Sequence, residues 1–148
     1  MTIEKWGWNT PKPIGDLTVG KILRNAAIAY PNKGITDGIS GISRTYREID
    51  QRANSIGNGL LAIGCQPGDI ITVLFRNNIE ALEVYFACAR IGLVLMPVSF
   101  RLLPKDIEMA MRYVGAKDII FDEIFKPIVD KIDIEMKKIV VGEAKEDL

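Results

Sequence analysis

Between Asp69 and Ser99 the hydrophobic positions change period twice. Asp69–Phe75 is a short, β-branched apolar run without clean alternation, the pattern of a strand buried on both faces. Asn78 then offers a helix cap, with Glu83 early in the helix. Ile79, Leu82, Phe86 and Ala89 recur at steps of three and four and predict its inward face. Gly92 stops that helix, and Val94–Val98 returns as a second strand, parallel to the first through a right-handed crossover. The stretch is one βαβ unit, informative about fold and silent about chemistry.

The same reading extends both ways. Thr18 is placed to cap a helix with Val19, Ile22, Leu23, Ala26 and Ala27 on one face, ended by Tyr30-Pro31 because the residue before proline leaves helical geometry. Gly34–Asp37 and Ile42–Tyr46 are short extended segments around Asp37-Gly38 and Gly41, which favour a hairpin or near-hairpin. A helix follows from Thr45 or Tyr46, with Glu48 in its first turn and Ile49, Ala53, Ile56, Leu60 and Ile63 along one side. Gly57 and Gly59 each lower helix propensity by roughly 1 kcal/mol, which suggests close packing or a ligand-facing side, close packing being the plainer reading.

Gly64 stops that helix. Beyond Pro97, Pro104 suits the first turn of a helix whose Ile107, Met111 and Val114 face inward with Ala110 beside them, ended by Gly115. Ala116–Phe121 reads as a third strand, Glu123–Ile132 as a helix broken early by Pro127, and Lys138–Val141 as a fourth strand. The fold class this predicts is α/β: a largely parallel sheet flanked by helices, with a small hairpin-like element before it. Met1–Asp16 reads as an irregular leader whose Trp6 and Trp8 cover an apolar surface, since two large aromatics are costly to expose.

Composition narrows the classes. The chain has 148 residues, 48% apolar and 26% charged, which fits one domain with a core and argues against disorder. Net charge is zero, and the first 76 residues carry +3 (nine Lys/Arg, six Asp/Glu) against −3 for the rest (ten, thirteen). That split is too mild for a nucleic-acid footprint or a polybasic membrane patch. The absence of histidine excludes a His-dependent triad or a His-ligated zinc. Cys65 and Cys88, 23 residues apart, read as unpaired thiols, Cys88 as a small buried hydrophobe. With no signal-peptide pattern and no long apolar run, the expectation is a soluble cytoplasmic protein without a transmembrane segment.

Direct reading of the chemistry yields little. Neither GxGxxG nor GxxxxGK[ST] occurs. Asp118, Asp122 and Glu123 gather near a predicted strand end where a divalent ion can bind, a solvated loop being the plainer reading, and no metal is expected. Ser99 lacks both a base and a nucleophile elbow. Arg76 and Arg101 are the charges of interest, because each lies at or just after the carboxyl end of a predicted parallel strand. Open α/β sheets bind ligands there, and a guanidinium grips phosphate bidentately; the alternative for each is a surface cation or a salt bridge.

Four segments in order resemble the adenylate-forming (AMP-binding) enzymes, in particular their acyl-CoA synthetase branch. Arg44-Thr45-Tyr46-Arg47-Glu48-Ile49 is similar to the family's [LF][TS]YxEL, and Arg52 through Ile71 to RANxLAxxLxxLGxxxGDxV. Leu74 to Glu80 is similar to LLPNxxE, with Arg76 in place of the usual proline and Asn77 kept. Gly92 to Leu102 is similar to GAVxxPxNxRL, with Ser99 where asparagine is common. The resemblance implies that residues 17–148 are a partial N-terminal domain of a larger enzyme. It implies ATP, Mg²⁺ and coenzyme A as the cofactors of the full-length protein, which would join a carboxylic acid to AMP and then to the CoA thiol. The family's Ser/Thr/Gly-rich loop ending in PKG, its Thr-Glu pair, its ribose-binding aspartate and its C-terminal lysine do not occur in the 148 residues. No cofactor is therefore expected for this chain alone, and no catalytic residue is assigned.

By the same resemblance Arg101 matches a position that contacts a phosphate of coenzyme A in some relatives. Tyr46, Glu48 and Asn77 are expected to be structural. Two rival readings stay open: a CoA-independent adenylating enzyme, and a non-catalytic subunit that binds a partner. The expected partners are the missing remainder of the enzyme, or a second copy through an exposed apolar face.

Overall fold

The computed structural model describes residues 18–141. Its frame is a four-stranded parallel sheet of β3 (Ile70–Leu74), β4 (Val94–Pro97), β5 (Asp118–Asp122) and β6 (Lys137–Val141), in the order β4-β3-β5-β6. Ile70 stands opposite Val94, Ile71 opposite Asp118, and Asp118 opposite Lys137. A separate antiparallel pair, β1 (Gly34–Thr36) and β2 (Ser43–Thr45), precedes it. The α/β class, the parallel sheet and the hairpin all agree with the sequence reading.

Both faces of the sheet are covered, as the unalternating apolar strands require. Ile71, Val73 and Ile120 point to one side, where Leu60 of α2 (Tyr46–Ala62) and Val84 and Cys88 of α3 (Ile79–Ile91) bury them. Leu74, Ile119 and Phe121 point to the other, against Ile107 and Met111 of α4 (Pro104–Val114) and Val129 of the one-turn α5 (Lys126–Val129). A third cluster joins Leu23 of α1 (Val19–Ala29) to Ile49, Ala53, Ile79 and Ala87 on the outer side of α3.

That third layer corrects the reading of α3. Only Ile79 of the predicted face is fully buried; Leu82, Phe86 and Ala89 are half-buried. The helix lies between the sheet and the α1–α2 pair, so Ala81, Val84, Ala87 and Cys88 are buried around most of its circumference. One periodic stripe cannot describe a helix with partners on two sides. The caps are as expected: Asn78 Oδ1 accepts from Ala81 N at 3.0 Å, and Gly92 ends the helix at φ +77°.

Other differences are local. Thr18 occupies the N-cap position of α1 without a side-chain capping bond. Val19 and Ile22, predicted inward, are 60% and 48% exposed. Gly57 does sit at a close contact, since an added Cβ would lie 3.3 Å from Ile91 Cγ2, whereas Gly59 has nothing within 4 Å. Ile63 and Val114 are exposed rather than inward. The predicted helix 123–132 is instead a 3₁₀ turn, Glu123–Phe125, followed by α5, and Pro127 falls in the first turn of α5, where it starts the helix rather than breaking it. The leader with Trp6 and Trp8 lies outside the described residues.

Candidate functional site at the carboxyl edge of the sheet

Because the four strands are parallel, the turns that follow them converge on one edge. The chain leaves β3 for β4 on one side, then returns past β3 to β5 on the other, with α3 and α4 on opposite faces. The strand order therefore reverses between β3 and β5, the place where open α/β sheets form a ligand crevice. Three side chains meet there. Asn78 Nδ2 donates to Asp122 Oδ2 at 3.2 Å, and Arg76 Nη2 lies 4.0 Å from the same oxygen. Asp122 Oδ1 accepts from Ile124 N at 3.3 Å and so holds the turn after β5. Arg76 stays 57% exposed beside a cleft of about 220 Å³, lined also by Asp37, Ser40, Asn77 and Glu80.

Arg101 is held differently. Ser99 Oγ accepts from its backbone N at 3.2 Å in the turn after β4. Its guanidinium carbon sits 5.9 Å from the centre of the Phe100 ring, and Phe100 stacks on Phe125 with centroids 5.6 Å apart and planes inclined by 13°. Among the described residues no carboxylate pairs with Arg101. An exposed guanidinium with free donors, steadied on an aromatic face, has the chemistry for a phosphate oxyanion. Arg76 and Arg101 thus share the edge, one leaning on a carboxylate and the other open.

The acidic trio does not form a site. Asp118 and Asp122 open and close β5, so about 13 Å of extended chain separates them. Asp118 accepts from Lys137 N at 2.9 Å and pairs with Lys137 Nζ at 3.7 Å. Among the described residues no group of three or more Cys, Asp or Glu side chains is placed to hold a metal. The thiols are inert as well: burial, then the neighbouring Cys65, pushes the Cys88 thiol up to about 12, and burial raises Cys65. Both remain unpaired.

A buried ion cluster among the described residues went unread in the sequence. Glu83 has no solvent contact; Arg44 Nη1 donates to its Oε1 at 2.8 Å, and Arg52 Nε to both oxygens at 2.8 Å. Arg44 also reaches Glu80 at 3.0 Å. Arg44 comes from β2, Arg52 from α2 and Glu83 from α3, so the cluster clamps three elements. The available signal was a carboxylate flanked by Ala81, Leu82 and Val84 in an otherwise apolar helix.

Known proteins give this framework its context. The family model "AMP-binding enzyme" matches residues 23–147. The chain is 32% identical over 127 residues to a long-chain-fatty-acid–CoA ligase of Thermus thermophilus, covering 84% of this chain and 24% of that protein. It is 29% identical over 102 residues to the fatty acid–[acyl-carrier-protein] ligase ScoC of Streptomyces coeruleorubidus, covering 69% and 20%. Among solved structures, the N-terminal domain of FACL13 from Mycobacterium tuberculosis superposes with a TM-score of 0.78 at 23% identity, covering 84% of this chain and 33% of that one. A protein of Rhodopseudomonas palustris solved as a long-chain-fatty-acid CoA ligase gives 0.77 at 26%, covering 87% and 34%. The chain spans about a quarter of the length of the curated relatives it matches. With the family model covering most of its length and the sheet of those N-terminal domains reproduced, the chain belongs to the AMP-binding enzyme family.

Proposed function

We propose that the chain is the N-terminal portion of a carboxylate–CoA ligase of the fatty-acid type. In the complete enzyme ATP and Mg²⁺ activate a carboxylate as its adenylate, and coenzyme A takes the acyl group as a thioester. The observation that carries this reading is the match to an acyl-CoA ligase over 84% of the chain at 32% identity. A cytoplasmic location follows from the need for ATP and coenzyme A.

The two cofactors differ in how the residues fit them. For ATP and Mg²⁺ they do not fit: the 148 residues hold no phosphate-cradling loop, and the described residues hold no carboxylate group suited to the ion. The 148-residue chain alone is accordingly without ligase activity. Carboxylate-dependent pyrophosphate release by the purified chain would overturn this. For coenzyme A, Arg101 fits, since its unpaired guanidinium offers donors to a phosphate at the ligand-binding edge. One lost charge-assisted contact corresponds to about tenfold weaker binding. Titration of coenzyme A against the chain and against Arg101→Ala should show that difference, and equal affinities would refute the assignment.

The likeness to the carrier-protein ligase favours a second reading, in which the acyl acceptor is a carrier protein rather than free coenzyme A. In that case the purified chain retains an acyl-carrier protein in pull-down and shows no saturable coenzyme A binding.

A further inference from the structure

Two separate turns build the aromatic support of Arg101. Phe100 follows β4 by three residues, and Phe125 follows β5 by three. In the order β4-β3-β5 these strands flank β3, about 10 Å apart, so the two turns can meet only across its end. They meet ring on ring, with centroids 5.6 Å apart and planes inclined by 13°. Phe125 is buried in the core cluster that also holds Leu74, Ile107 and Met111, whereas Phe100 is 43% exposed. The guanidinium carbon of Arg101 lies 5.9 Å from the centre of this outer ring. The turn that carries Phe125 is itself fixed, because Asp122 Oδ1 accepts from Ile124 N at 3.3 Å and Oδ2 from Asn78 Nδ2 at 3.2 Å.

We infer that the Phe100–Phe125 stack is the positioning element for Arg101 and presets its guanidinium for a phosphate. The inference rests on the coenzyme A reading of Arg101 for its ligand, and on the two rings alone for its geometry. An exposed arginine without a carboxylate partner spreads over many rotamers, and binding must then order it. Contact with an aromatic face steadies the guanidinium through the ring electrons and leaves its N–H donors free for an oxyanion. An acidic partner would also hold it, but would occupy those donors and repel the anion. Phe100 alone cannot do this, since it belongs to the same turn as Arg101 and moves with it. Phe125 supplies the fixed end, because it is anchored in the core on the α4 side of the sheet and acts on Arg101 through Phe100.

The test reads the arginine without any ligand. In the full 148-residue chain, isotope-labelled for NMR, the heteronuclear NOE of the Arg101 Nε–H is assigned by its loss in Arg101→Lys and should approach backbone values. Phe125→Leu and Phe100→Leu should each lower it to that of a freely rotating side chain, with amide shifts remote from the edge unchanged. Phe100→Tyr keeps the ring and should keep the NOE high. Tyr113→Leu, at an exposed aromatic on α4, should change nothing. In coenzyme A titrations each leucine variant should bind about threefold more weakly, and neither should weaken an Arg101→Ala chain further. A native NOE already at the free side-chain value overturns the positioning role. So does an unchanged NOE in Phe100→Leu, whatever Phe125→Leu does to folding. If the NOE falls as expected while the native chain shows no saturable coenzyme A binding, the positioning is upheld and the coenzyme A reading of Arg101 is refuted.

Discussion

At position 83 a carboxylate is closed off from water and accepts from two guanidinium groups. Removing one partner of such a cluster leaves uncompensated charge, so Glu83→Ala should cost about 3 kcal/mol, read as a lower urea midpoint. Thr72 is the opposite case. Its hydroxyl is buried in β3 without a hydrogen-bond partner among the described residues, opposite Met96 and Ile119. Thr72→Val keeps the shape and removes the desolvated group, and should raise stability by about 1 kcal/mol with an unchanged denaturant slope. Neither residue was legible in advance. Burial of Glu83 depends on Arg44 and Arg52, 39 and 31 positions away, and no local pattern carries that information. The placement of Arg76 and Arg101 after β3 and β4 was legible because strand ends can be read from the hydrophobic pattern.

Among the elements, α2 shows how local chemistry sets a boundary. Thr45 Oγ1 accepts from Glu48 N at 3.2 Å, and Glu48 Oε2 accepts from Thr45 N at 2.7 Å, a reciprocal capping box. The bond from the Thr45 backbone, then that from its hydroxyl, holds the Glu48 carboxyl below its ordinary range. A depressed folded value means that the unfolded chain binds more protons. The box therefore contributes in full above the unfolded value and loses its contribution as pH falls from about 5 through the folded one. Thr45→Ala should flatten the acid limb of a stability–pH curve and cost about 1 kcal/mol at neutral pH. The two glycines of the same helix should separate: Gly59→Ala gains roughly 0.5–1 kcal/mol, while Gly57→Ala gives up that gain against Ile91. Period and composition predicted both glycines alike, because only the position of α3 distinguishes them. Pro127 was misread for a related reason, since its meaning depends on whether a helix has already begun.

At the scale of the molecule, the order of elements was legible and the layering was not. Among the described residues the sheet keeps two open edges, at β4 and β6, with Val94 and Val140 exposed on them and Phe100, Leu102 and Leu103 exposed at the carboxyl edge. Such edges pair with other chains. Sedimentation coefficients that rise with concentration are the expected result, and one invariant monomeric boundary would argue against it. The position of β3 has a further consequence, in the time domain of protein synthesis. It is the first strand of the sheet to leave the ribosome, yet it lies inside the sheet, and both strands that pair with it come later. Asp118 follows Leu74 by about 40 residues, so at ordinary elongation rates the second partner arrives roughly 2–9 s after β3 is complete. For those seconds the edge of the nascent strand meant for β5 stays unpaired, and until Val114 has been made the apolar face meant for α4 is bare as well. The interval in which this polypeptide most needs a chaperone is thus written into its strand order.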